Sequence, residues 1–289
     1  MELLKTLFSP ITFVLGFIQN YFKAMLFLLL LVLIFAPESE EDLHPNNLQK
    51  ILLQGAIMDA SKVVEEIDNA RTNKHVKAVL FEINSPGGAV PPSIEIAYAI
   101  KRLQESKPVV VYASGMLASG GYYSAIYAQE IIANPGSMVG SIGVIMHGAN
   151  VGELMQKIGI KSQIIQAGKY KQVGTADREW TNYEKEELNK VIQSTYTMFV
   201  TDVATARKLD IAKADDFANA HIFTASQAKE VGLIDSLGVE YDAKNRVIKL
   251  SGVKKPVWNK EDKIDQFIKK LSAQTASQFS IYFPSLSLR

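Results

Sequence analysis

Apolar and polar positions recur with two periods along most of the chain. Ile51–Ile57 has the pattern of a strand, and Ala60–Arg71 puts Val63, Val64 and Ile67 on one helical face. Val76–Ile83 (VKAVLFEI) and Pro108–Ala113 (PVVVYA) are near-continuous apolar runs, as in strands covered on both faces. Pro92–Gln104 and Ser119–Tyr127 read as helices, and Val139–Met146 and Ser162–Gln166 as further strands. Thr181-x-x-Glu184 is a capping box opening a long helix, whose apolar stripe includes Leu188, Ile192, Tyr196, Phe199 and Val203. Phe223–Leu233 contains a shorter helix ended by Gly232, Arg246–Leu250 reads as a strand and Asp262–Leu271 as an amphipathic helix. The alternation predicts an α/β fold built from right-handed crossovers.

The first 36 residues follow a different rule. Ala24–Ala36 (AMLFLLLLVLIFA) has no polar side chain. A bilayer core needs about 20 residues, which the run reaches by extending back through Phe22, Tyr21, Ile18 and Phe17 with Lys23 snorkelling. A cleaved signal peptide is the alternative, but the run ends Phe35-Ala36-Pro37 instead of in an Ala-x-Ala site. Lys5 and Lys23 precede it and Glu38, Glu40, Glu41 and Asp42 follow, which predicts a cytoplasmic N-terminus. The expected organisation is an N-terminal segment and transmembrane anchor (1–36), a linker (37–48), a main domain (49–240) and a C-terminal helical extension (241–289).

Composition narrows the chemistry. The 289 residues are 47% hydrophobic and 21% charged, which excludes a disordered chain. With 31 Lys+Arg against 30 Asp+Glu there is no basic stripe, so nucleic acid is not an expected partner. Without cysteine, thiol catalysis and disulfides are impossible. The histidines (His44, His75, His147, His221) have no metal-ligand spacing, so a histidine metal site is not expected; no cofactor is expected either.

Three glycine-rich loops each follow an expected strand. Asn84-Ser85-Pro86-Gly87-Gly88 is either an ordinary strand-to-helix turn or a source of backbone N–H groups for an oxyanion. In Ala113–Tyr123 (ASGMLASGGYY), Ser119 stands at a helix start, as an N-cap or as a nucleophile. Leu117 occupies the place of the first glycine of the hydrolase elbow. Gly136–Gly143 lacks the Gly-Lys-Ser/Thr of a nucleotide loop. A serine nucleophile needs a base. The candidates are His147, His221, or a lysine of Gly168-Lys169-Tyr170-Lys171, whose two lysines share a side if the segment is extended.

Together, Asn-Ser-Pro-Gly-Gly (84–88), Ala-Ser-Gly-Gly-Tyr-Tyr (118–123), Gly-Ser-Ile-Gly-Val-Ile (140–145), Gly-Lys-Tyr-Lys (168–171), Arg178-Glu179-Trp180-Thr181 and Gly232-Leu233-Ile234-Asp235 resemble, in order, the signal peptide peptidase A family. These are membrane-bound serine proteases with the Clp protease/crotonase-like fold of repeated β-β-α units. The resemblance spans roughly residues 48–240. It implies Ser119 as nucleophile, Lys171 and not Lys169 as general base, Ser141 orienting that lysine, and Gly88 and Gly120 N–H groups as oxyanion hole. It further implies hydrophobic peptide substrates, chiefly released signal peptides. The length resembles the family's short form, a homo-oligomeric ring with sites shared between subunits. The implied location is the bacterial inner membrane, with the catalytic domain on its extracytoplasmic side. Phe217-Ala218-Asn219-Ala220 departs from the Gly-Arg expected before His221. The rivals are an acyl-CoA-processing crotonase-like enzyme and a catalytically inert anchored scaffold.

Overall fold

The computed structural model describes residues 17, 19–28, 31 and 45–259. The chain divides into two compact units, 1–45 and 46–289. In the first, residues 19–28 are helical. No helix among the described residues is long and apolar enough to cross a membrane. Most of Ala24–Ala36 beyond residue 28, and the helix expected at Asp262–Leu271, lie outside the described residues.

The second unit is built on a sheet. Among the described residues the strands are β1 (Leu48–Gln54), β2 (Ala78–Ser85), β3 (Val109–Ala118), β4 (Glu130–Ala133), β5 (Met138–Gly140), β6 (Ile222–Thr224) and β7 (Ser236–Leu237). The order β1-β2-β3-β4-β7 is parallel throughout. Helices α1 (Ser61–Thr72) and α2 (Val90–Gln104) link the first three strands. The two apolar runs explain the layering. Val79, Phe81, Ile83, Val109, Val111 and Ala113 enter one core, while Ala78, Leu80, Val110 and Tyr112 enter another on the opposite face. Both faces are covered, so alternation of polarity vanishes although alternation of direction remains.

Strand β3 carries the feature that builds the site. Its first half pairs with β4 (Val110–Ala113 with Glu130–Ala133), and its last three residues pair with β5 (Met116–Ala118 with Met138–Gly140). The switch coincides with a register shift against β2 between Ile83 and Ser85. There Asn84 Oδ1 accepts the Met116 N–H at 2.9 Å, and a Cβ on Gly115 would lie 2.6 Å from that oxygen.

Beyond the sheet come α3 (Gly120–Tyr123), α4 (Gly152–Lys157), α5 (Asn182–Arg207), α6 (Ala214–Phe217), α7 (Ala225–Glu230) and α8 (Glu240–Ser251). Three strand expectations are corrected. Arg246–Leu250 lies within α8, where Ala243 and Val247, four apart, seal the second core. Ser162–Gln166 has no partner strand, and Ile164 and Ile165 are exposed. The strand expected over Val139–Met146 is β5, which stops at Gly140 because Ser141 takes a positive φ. The helix expected at Ser119–Tyr127 is only α3, followed by turns.

Candidate active site

Two parallel strands end side by side here. Ala118 pairs with Gly140, and the next residue on each strand is a serine. The Ser119 N–H donates to the Gly140 carbonyl at 2.8 Å, and the Ser141 N–H to the His221 carbonyl at 2.7 Å. Adjacent strands run about 4.8 Å apart, so the two serines share one corner of the sheet. Both have φ in the left-handed region, 51° at Ser119 and 50° at Ser141. Such conformations cost a residue with a side chain on the order of 1–3 kcal/mol and concentrate at functional sites. With ψ −123°, Ser119 makes a sharp turn from strand into α3. Leu117 breaks the hydrolase elbow pattern in sequence, yet the backbone forms a strained strand-to-helix turn of that kind.

The Pro-Gly-Gly loop lies against this turn. A Cβ on Gly87 would sit 2.6 Å from the Gly120 nitrogen and 2.8 Å from Ser119 Cβ. One on Gly120 would sit 2.2 Å from Ser93 Oγ and 3.3 Å from the Gly88 nitrogen. Neither position has room for a side chain. The Ile57 N–H donates to the Gly87 carbonyl at 2.9 Å and the Ala89 N–H to the Ile57 carbonyl at 2.8 Å. That bridge leaves the Gly88 N–H pointing away from it. Gly120 is the first residue of α3, so its N–H has no partner inside the helix. Buried Ser85 holds the loop: its hydroxyl donates to the Gly55 carbonyl at 2.7 Å and accepts the Gly87 N–H at 3.1 Å.

A shallow cleft opens beside Ser119, with Val90, Ile94, Val144, Met198 and Phe199 on its walls. Phe199 belongs to the apolar stripe of α5, so that stripe serves both core and cleft, and the neighbouring Met198 adds to the cleft wall. Tyr123 completes the wall, its ring 4.9 Å from Phe199. Its phenol donates to the Asp202 carboxylate. Burial pushes that phenol well above its ordinary pKa, and the bond to Asp202 adds to the effect. Ser85, Ser93, Tyr123 and Asp202 are site residues that the sequence reading missed. For Tyr123 the available signal was an aromatic doublet directly after Ser-Gly-Gly.

The structure does not bring the lysines to this cleft. Lys171 is exposed and lies apart from its walls. Gly168-Lys169-Tyr170-Lys171 is not extended: the Lys171 N–H bonds the Gly168 carbonyl in a turn, so two-residue alternation does not apply. Lys169 Nζ lies over the rings of Tyr170 and Tyr183, at 5.3 and 4.9 Å from their centroids. His147 and His221 are exposed, and His221 contributes its carbonyl to Ser141. Among the described residues no three His, Asp or Glu side chains gather as metal ligands. The departure at 217–220 has a structural reading. Asn219 and Ala220 both take positive φ, 54° and 58°, where glycine is the easier residue.

The sequence matches the family model described as Peptidase family S49 over residues 101–254. It is 40% identical over 198 residues to "Putative protease slr0021" of Synechocystis sp., covering 68% of this chain and 69% of that one. It is 35% identical over 185 residues to "Serine protease SPPA, chloroplastic" of Arabidopsis thaliana, covering 64% of this chain but only 27% of that longer protein. Among solved structures, a ClpP1 mutant from Listeria monocytogenes superposes with a TM-score of 0.47 at 17% identity, covering 67% of this chain and 93% of that one.

Proposed function

Because the chain belongs to peptidase family S49, the signal peptide peptidase A proteases, we propose that it is a serine endopeptidase with Ser119 as nucleophile and Lys171 as general base. The observation that carries this reading is the corner itself. Ser119 projects from a strained turn, two glycine N–H groups lie beside it, and an apolar cleft opens next to it.

The chemistry follows from these groups. Neutral Lys171 Nζ takes the Ser119 Oγ proton as Oγ bonds to the substrate carbonyl carbon. The oxyanion is met by the Gly88 and Gly120 N–H groups, each worth about 3 kcal/mol in the transition state. The C–N bond breaks, the amine leaves with the proton from Lys171, and a water deprotonated by Lys171 releases the acyl group. Ser141, at the neighbouring strand end, orients the lysine.

A lysine accepts a proton at neutral pH only where it is desolvated. Lys171 is exposed in the single chain, so the surface that covers it comes from another chain. The segment carrying it supports this, because Ile145, Leu154, Ile158, Ile160 and Ile165 are exposed there. Apolar side chains gathered on one exposed segment mark an interaction surface. The proposal includes a homo-oligomeric ring of Clp-like subunits, in which Lys171 of one chain serves Ser119 of the next. It also includes an N-terminal anchor in the bacterial inner membrane, a catalytic domain outside the cytoplasm, and hydrophobic peptides such as released signal peptides as substrates. The apolar cleft suits such peptides.

The test is direct. A peptidyl phosphonate labels Ser119, and Ser119→Ala abolishes peptide cleavage with an unchanged circular dichroism spectrum. Label on Ser114 or Ser141, or near-normal turnover by Ser119→Ala, moves the nucleophile elsewhere.

A further inference from the structure

The Arg178-Glu179-Trp180-Thr181 motif has no part in the chemistry above. It lies at the start of α5, where Glu184 is completely buried. A buried carboxylate needs compensating donors, and Glu184 has several. Arg178 Nη1 and Nη2 reach Oε2 and Oε1, both at 2.8 Å. The Thr181 N–H and hydroxyl donate to Oε2 at 2.8 and 2.9 Å. The capping box is therefore also one half of a two-pronged ion pair.

The pair reaches one step further. Arg178 Nη2 also donates to Gln172 Oε1 at 3.0 Å. Gln172 is the residue after Lys171. On the other side of the lysine, the Tyr183 ring packs edge-on against Tyr170 with centroids 5.8 Å apart, and Lys169 Nζ lies over both rings. Successive turns run through the loop between these grips, Lys171 to Gly168, Val173 to Tyr170 and Thr175 to Gln172. Trp180 Nε1 bonds the Thr175 carbonyl at 2.7 Å and closes it. Lys171, itself exposed, is bracketed by Arg178, which Glu184 of the first turn of α5 holds, on one side and by Tyr183 of that turn on the other.

We propose that Arg178 and Glu184, acting through Gln172, together with Tyr183, acting through Lys169 and Tyr170, are positioning residues that hold the loop so that Lys171 is presented in one orientation. This rests on Lys171 being the general base. An exposed lysine has several freely rotating bonds, and a site completed by another chain gains nothing from a base whose backbone also wanders. The bracket removes the backbone part of that freedom before the chains meet. It also gives Lys169 a place of its own, on the tyrosine rings.

Gln172→Leu tests this in the full-length protein, because it removes the acceptor for Arg178 while leaving the buried pair whole. Tyr183→Leu tests the other grip. Each variant is expected to lower kcat at neutral pH by roughly 10- to 100-fold with KM nearly unchanged. The acid limb of the kcat–pH profile moves to higher pH, because a lysine free to turn toward water keeps its proton longer. The charged groups nearest the loop are Lys169, Arg178, Glu184, Asp177, whose carboxylate accepts the Thr175 hydroxyl, and Lys190 beside Tyr170, and neither variant replaces any of them. A normal kcat, a change in KM alone, or a loss equal at every pH overturns the proposal. Lys171→Ala is measured in parallel. If it stays active, the general-base reading fails and takes this one with it. If it is inactive while both bracket variants match the wild type, only the positioning inference fails.

Discussion

At Ser119 and Ser141 the backbone occupies a region where L-residues other than Asn and Asp are uncommon, and it does so at two adjacent strand ends. The surrounding contacts hold it there. The Gly140 carbonyl takes the Ser119 N–H, the His221 carbonyl takes the Ser141 N–H, and the turn before His221 sets where that carbonyl lies. Ala220 in that turn is a strained residue with no reacting group to offer. Its φ of 58° favours glycine, and its N–H still bonds the Ile142 carbonyl at 2.9 Å. Ala220→Gly is therefore expected to stabilise the protein by about 1 kcal/mol, a rise of about 2–4 °C in Tm for a unit of this size. A scan showing no rise, or a fall, means that the strain is already relieved by something else. The glycines beside Ser119 were legible in sequence because glycine announces its own freedom. The positive φ at Ser119, Ser141 and Ala220 was not, because nothing in a Ser or Ala codes for it. Only the departure from an expected glycine at 217–220 pointed there.

Elements with long apolar runs were legible, and most of the short strands were not. Strands β1, β2 and β3 appear in the sequence because both faces of the sheet are covered, so their burial is written continuously. Strands β4, β6 and β7 have four residues or fewer and are held by partners distant in sequence. RVIKL at 246–250 alternates as a strand would, but Ala243 and Val247 bury a single helical stripe. Helix α5 was legible from its capping box and apolar stripe. That its first turn also grips the lysine loop was not, since the link from Arg178 to Glu184 exists only once the chain turns back on itself. This element carries a pH dependence. Hydrogen bonding to Arg178, followed by the Thr181 backbone, lowers the Glu184 carboxyl from an ordinary 4.5 to about 2. A depressed acid stabilises the fold above its unfolded pKa, so the contribution is complete above about pH 4.5 and is lost as pH falls through about 2. Wild-type stability should fall across that window, and Glu184→Gln should be less stable at neutral pH yet show a flatter decline. Equal slopes for both proteins mean that Glu184 is not the group titrating.

At the scale of the molecule, the proposed nucleophile and the proposed base belong to different kinds of surface. Ser119 lies at the end of a buried strand in a cleft whose wall includes the core residues Tyr123 and Phe199, whereas Lys171 sits on a segment whose isoleucines face outward. On the proposed reading, a single chain holds one half of a site at the sheet corner and presents the other half on an exposed segment. Two inactive proteins test this most directly. Ser119→Ala chains and Lys171→Ala chains should each be inactive alone. Unfolded together and reassembled into demonstrably mixed oligomers, they should recover part of the wild-type peptidase activity, because some interfaces then join an intact Ser119 to an intact Lys171. If mixed oligomers stay inactive while wild-type protein taken through the same procedure is active, the site is not shared between chains.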